Sequence, residues 1–398
     1  MTKHATSSRT PHPRLFVLRK RLALRLTLIA TIALMLIPLF AAAALGIGVL
    51  GAYGAWSILE PKWPAAAIFF GTLSFVSMSF FAVRLLSVLF VPLPSPEGVR
   101  LSQEDAPALH QLIKNMVWTL EAGRIDHVLV TPEMNAAVLQ RPSSGFLGRV
   151  KTYLLIGLPL MHSITAPQLV AVLAHELAHL AAQRKGAGKH AALLRAWWLR
   201  TLDRIGDVFP VFGARVDVWL ARFYGDMARL ARIEEFEADA YAIKVVDTDL
   251  FSETLIEVSL KEQFLSNDYW PRVLAQSCVR AKPLVRPFRD LCLGMSAGFL
   301  RRAAVSDMPS DHGGLPQSMH PTTKERLSAL RVLPKPQKAS SYDFPTAADY
   351  YLSPLLLTLA WVFDRAWWRD VRPDWRLTYR KACRAHCRKA RTAKHDDA

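Results

Sequence analysis

From Leu26 to Leu59 the chain runs 34 residues without a charged side chain, and from Trp63 to Val83 it runs another 21. No other feature constrains the fold as strongly. A helix of about 20 apolar residues crosses the hydrocarbon layer of a bilayer, and backbone polar groups there must be satisfied within the segment. The first run is too long for the apolar region of a cleaved signal peptide, and a second apolar run follows it. Two membrane-spanning helices are therefore expected, joined at Glu60-Pro61-Lys62 into a hairpin. Pro38 is a potential kink. Ala44, Gly48 and Ala52 recur every fourth position, a spacing that suits close contact with another membrane helix. Trp56 and Trp63 flank the turn as interfacial aromatics.

The net charge of +17 is concentrated at the ends. Residues 1–25 hold seven Lys/Arg and residues 376–394 hold eight, while 35 basic and 31 acidic residues lie between 26 and 375. The basic N-terminus against a loop with one lysine places that end on the cytoplasmic side, and two crossings return the chain there. Arg84 would snorkel at the inner end of the second span. Basic ends beside membrane segments imply contact with a lipid bilayer. No nucleic acid is expected, since no helix-turn-helix, RNP or zinc-finger pattern accompanies the charge. The cysteines, Cys278, Cys292, Cys383 and Cys387, are too few and scattered for a disulfide framework. Cys383, His386 and Cys387 have loose spacing in a basic tail and read as a histidine beside free thiols.

The proline-rich "VPLPSPEGVR" marks the start of a water-soluble region. Four segments follow: a basic cytoplasmic N-terminus (1–25), a transmembrane hairpin (26–94), a water-soluble domain (95–335) and a helical extension with a basic tail (336–398). The expected class is α+β, mostly helical, with a small β-sheet. Residues 103–121 have helical periodicity, and "HVLVT" (127–131), "NAAVL" (135–139) and "TYLLIGL" (152–158) read as strands. A helix begins after Thr165, with Gln168 at capping-box spacing, and stops near Gly186. Residues 189–245 read as long charged helices, and 308–316 and 334–345 as loops. The apolar run Leu352–Phe363 is too short to span and reads as a buried or interfacial helix.

Within "AVLAHELAHL" (171–180), His175 and His179 lie one turn apart on one helix face, the spacing for two bonds to one zinc ion. Glu176 is placed to act as general base on a water activated there. A third protein ligand is needed, with a fourth position left open. In "RIEEFEADAYA" (232–242) only Glu235 and Asp239 form an i, i+4 acidic pair. Glu235 is the candidate third ligand, and Asp239 accepts from the far nitrogen of a ligand histidine. Glu234 and Glu237 fall on other faces and are expected in solvent.

The pairing of "HELAH" with "EFEAD" resembles the HtpX and CAAX-prenyl-protease family of membrane zinc metallopeptidases. "HPTTKERLSAL" (320–330) resembles that family's His-Pro segment and Arg-containing helix, and "MNAAV" (134–138) its edge strand. The likeness covers roughly residues 95–332. It implies a zincin-like fold, one zinc ion held by His175, His179 and Glu235, and Glu176 as the base. It places His320 and Arg326 near the cleft, with His320 a donor to the oxyanion. Asn135, Ala136 and Ala137 would pair with an extended substrate. The chain departs from HtpX-type members in carrying a charged helical insert where they carry further spans. The resemblance and the charge bias together imply a zinc endopeptidase of the bacterial inner membrane with its site in the cytoplasm, acting on proteins or peptides, including membrane proteins. The alternative is a non-catalytic scaffold that holds partners or lipid through its basic tail.

Overall fold

A computed structural model gives the fold and describes residues 13–90, 95–142, 149–184, 188–208, 213–296, 320–332 and 345–396. Two helices, α1 (Pro13–Leu59) and α2 (Pro64–Ser87), are long and apolar enough to cross a membrane. They pack antiparallel through small residues. A Cβ at Gly51 would collide with Ser74, and one at Gly48 would lie 2.9 Å from Met78 Cβ. Ala41 and Ala44 meet Ala82 one level further in. Helix α1 runs through Pro38 and begins well before the uncharged run, so its 47 residues span roughly 70 Å. Only the half beyond about Ile37 lies against α2; the half before it leaves that hairpin and enters the rest of the protein.

The sheet has four strands in the order β1 (Val99–Leu101), β2 (His127–Thr131), β4 (Val150–Gly157), β3 (Ala136–Pro142). Strands β2 and β4 are parallel and the other neighbours antiparallel, which leaves β3 at an edge. Helices α3 (Pro107–Thr119) and α5 (Ala166–Arg184) supply the main core. Leu109, Ile113 and Met116 from α3 join Leu169, Leu173 and Leu177 from α5 and Val130, Leu154 and Ile156 from the sheet. Helix α5 follows the short α4 (Leu158–Ser163). Its start is fixed by Thr165, whose backbone N–H donates to the Gln168 side chain at 2.9 Å.

An antiparallel helical pair follows, α6 (Gly188–Val208) and α7 (Gly213–Ala242). It takes up the inner half of α1: Leu26 and Ala30 pack with Phe223 and Leu230, and Trp198, Leu199 and Met227 close the cluster. Then come α8 (Thr248–Phe264), capped by the Asp247 carboxylate, a π-turn at Leu265–Tyr269 and α9 (Trp270–Ala275). Helix α10 (Thr323–Leu330) opens with a full capping box between Thr322 and Glu325. The run Leu352–Phe363 is divided between α11 (Ala347–Leu352), one 3₁₀ turn, and α12 (Leu356–Asp396). Leu352, Leu359, Ala360 and Phe363 are all buried in the main core. Helix α12 continues through Pro373, and Trp375 Nε1 donates to the Arg280 carbonyl at 2.9 Å. The proline- and glycine-rich stretch 308–316, and 334–344 of the second loop, lie outside the described residues.

Candidate metal centre

Helix α5 is buried on nearly every side, so polar groups in its middle must find partners within the protein. Its two histidines find each other and α7. The Nε2 atoms of His175 and His179 lie 3.3 Å apart, with their rings close to perpendicular at 87°. From α7, Glu235 brings Oε2 to 3.2 Å from His175 Nε2 and Oε1 to 3.6 Å from His179 Nε2. No hydrogen bond of good geometry satisfies the buried Oε2. Two nitrogens and a carboxylate thus converge on one small space, and among the described residues this is the group able to hold a metal ion. The 3.3 Å between the two nitrogens matches the edge of a tetrahedron drawn around a cation with bonds of about 2.0–2.1 Å, roughly 3.4 Å long, and one Glu235 oxygen lies near each nitrogen. The donor set and the orphaned carboxylate oxygen both fit a tetrahedral divalent cation with one open position.

The surroundings fix the orientation of these groups. Asp239, one turn beyond Glu235, stands 2.9 Å from His175 Nδ1. A carboxylate only accepts, so Nδ1 carries a hydrogen, and Nε2 is the nitrogen turned to the cation space. Asp239 is almost completely buried and is held in turn by Arg326 of α10, which donates from Nε at 2.9 Å and from Nη2 at 2.5 Å. Burial alone would raise the Asp239 carboxyl, but the hydrogen bonds from Arg326 and His175 hold it below its ordinary value. The capping box at Thr322 and the 2.6 Å pair between Arg232 and Glu325 tie the start of α10 to α7. His320, just before that cap, places Nδ1 2.8 Å from Glu235 Oε1.

The charges divide sharply. Burial opposes ionisation of Glu235, yet His175 beside its Oε2 and the hydrogen bond from His320 to its Oε1 keep it far below the usual carboxylate range. Burial likewise disfavours the charged form of His175, but Asp239 and Glu235 outweigh it and raise that pKa to about 9. At His179 burial, joined by the charge of His175, outweighs the same carboxylates and lowers the pKa to about 4. Glu176 projects beside the ligand face, where burial pushes its carboxyl up to about 7. Such a value suits a group that takes up and returns a proton near neutrality.

A model of peptidase family M48 matches residues 105–333, more than half of the chain. The chain belongs to peptidase family M48. That is the family of HtpX- and CAAX-protease-like zinc metallopeptidases, so the protein is a metallopeptidase acting on peptides or proteins. No curated protein and no solved structure matches it.

The M48 domain brings His175, Glu176, His179, Glu235, Asp239, His320 and Arg326 to one place from three separate stretches of sequence. The strand residues need finer placement. The Asn135 carbonyl accepts from Gly157 N at 2.8 Å, and Asn135 stands opposite Gly157 in the continued register. Backbone groups alternate along an antiparallel pair. Asn135 and Ala137 therefore face inward to β4, while Ala136 and then Val138 turn theirs to the open edge. The expectation that Glu234 and Glu237 lie in solvent is overturned. Glu237 is buried and pairs with Arg19 of α1 at 3.0 Å; Glu234 is largely covered and lies 3.9 Å from the buried Arg195 of α6. Helical periodicity places these glutamates off the ligand face correctly, but it carries no sign that α1 covers the opposite face.

Proposed function

We propose that this M48 metallopeptidase is a zinc-dependent endopeptidase anchored in the membrane by α1 and α2, with its centre on the cytoplasmic side. The observation that carries the reading is the convergence of His175, His179 and Glu235 around an unsatisfied carboxylate oxygen, with Glu176 beside them. The three side chains would hold the ion. Bound there, zinc supplies a positive charge that acidifies water and polarises the scissile carbonyl. Glu176 accepts a proton from the attacking water and returns it to the departing amine nitrogen. An extended peptide lies along the open edge of β3, held by the backbone groups of Ala136 and Val138. His320, whose pKa is raised by its hydrogen bond to Glu235, donates to the oxygen that gains charge during attack. Asp239 and Arg326 hold His175 in the required tautomer.

The basic N-terminus supports the cytoplasmic assignment. The anchor keeps the cleft near the bilayer, which favours membrane and membrane-near proteins as substrates and a part in their quality control. The full chain purified in detergent should hold about one zinc per chain, the fourth position staying open. Glu176→Gln should keep that zinc and lose proteolysis by roughly 10²–10⁴-fold. A metal-free wild type, or a Glu176→Gln form that cleaves normally, would refute the reading. The same variant, used as a trap in native membranes, should retain membrane-associated proteins; eluates free of them would remove the quality-control role.

A further inference from the structure

Helix α7 carries acidic groups on two faces. Glu235 and Asp239 point to the histidines of α5, while Glu234 and Glu237 point to α1 and α6. On that second face Arg19 Nη1 meets Glu237 Oε2 at 3.0 Å. Arg195 reaches across from α6, donating from Nη1 to Thr27 Oγ1 of α1 at 3.0 Å while Nη2 approaches Glu234. Arg195 is only 5% exposed. Around these contacts lies the apolar cluster of Leu26, Ala30, Phe223 and Leu230. Apolar contact is not directional, so on this face the two arginines carry the directional restraint on the roll of α7, as Arg232–Glu325 and Asp239–Arg326 do on the other.

We propose that Arg19 of the membrane helix and Arg195 of α6 are positioning residues that fix the roll of α7 and so set where Glu235 stands beside His175 and His179. The inference rests on the reading of Glu235 as a metal ligand. The geometry makes the coupling strong. A carboxylate about 5–6 Å from a helix axis moves roughly 1 Å for a roll of about 10°. Metal–ligand bonds tolerate about 0.2 Å. A small loss of restraint on the α1 face is therefore large at the centre. The membrane helix thereby becomes part of the metal site's supporting shell as well as its tether.

The test uses the full chain in detergent, stripped by a chelator and reloaded with zinc against a chromophoric competitor, with thermal melting recorded in parallel. Arg19→Met, which keeps the length and removes the charge, should weaken zinc binding about tenfold or more. Arg19→Lys should recover most of the loss. Arg19→Glu should be as weak as Arg19→Met, and adding Glu237→Arg to it should restore affinity to within about threefold of wild type. Zinc binding unchanged in Arg19→Met, with or without a lower melting temperature, would overturn the proposal, because a tie that merely stabilises the fold moves melting alone. A charge-reversed pair no better than Arg19→Glu would also overturn it. A Glu235→Gln chain that holds zinc as tightly as wild type would fail at a different point, removing the ligand reading itself.

Discussion

His175 faces two demands at once: Nδ1 must keep a hydrogen for Asp239, and Nε2 must offer a lone pair to a cation. In the metal-free chain the second nitrogen also holds a proton, because Asp239 and Glu235 outweigh burial and raise the pKa to about 9. Zinc competes with that proton. Below about pH 9 the metal-free form is protonated, so apparent zinc affinity should rise with pH, by up to tenfold per unit between pH 6 and 8, and level off above 9. Titration calorimetry in buffers of different ionisation enthalpy should find close to one proton released per zinc at pH 7. A buffer-independent heat would contradict the assignment. Asp239→Asn tests the other nitrogen. An amide can present its NH₂ or its oxygen, so the tautomer is no longer fixed, and zinc affinity should fall about 10–100-fold. The same change leaves Arg326 buried beside a neutral partner. A loss of stability of about 3–5 kcal/mol, read by melting, should accompany it.

At the scale of elements, β3 offers a test that separates binding from folding. Val138 turns its N–H to the open edge, so proline there removes one donor from the substrate side and leaves the ladder to β4 intact. The expected result for an unstructured peptide is a kcat/KM lower by about tenfold with little change in melting. Leu139→Pro, one residue on, should instead break a bond to β4 and lower the melting temperature. The element pattern was largely legible beforehand. The strands at 127–131 and 152–158, the helix starting after Thr165 and the acidic helix through 235 are written in local periodicity and capping residues. The two imidazoles and the 235/239 pair are legible because one helical turn decides them. What escaped depends on distant partners. Strand β1, only three residues long, exists because Val99–Leu101 finds Val128–Val130. Helix α12 continues through Pro373 because its aromatic residues pack onto α9 and the segment after it. Glu237 is buried because an arginine 218 positions earlier reaches it.

For the whole molecule, the register between α1 and its neighbours places the centre relative to the helical hairpin. Helix α7 runs antiparallel to α1, with Glu237 at the level of Arg19 and Leu230 beside Leu26. Helix α2 meets α1 only from about Ala41 outward. The metal centre therefore stands about 20 residues, or roughly 30 Å, along α1 from the packed hairpin. The proposed anchoring puts the N-terminus and the M48 domain on one side of the membrane and the turn at Glu60–Lys62 on the other. Cys278 and Cys383 are exposed and report the domain's side without any substitution. An impermeant maleimide should label both in inside-out vesicles and neither in right-side-out ones. In a chain whose native cysteines are replaced by serine, Lys62→Cys should label only in right-side-out vesicles. Labelling of Lys62→Cys and Cys278 from the same side would mean that α2 does not cross, and the proposed hairpin anchor would fall.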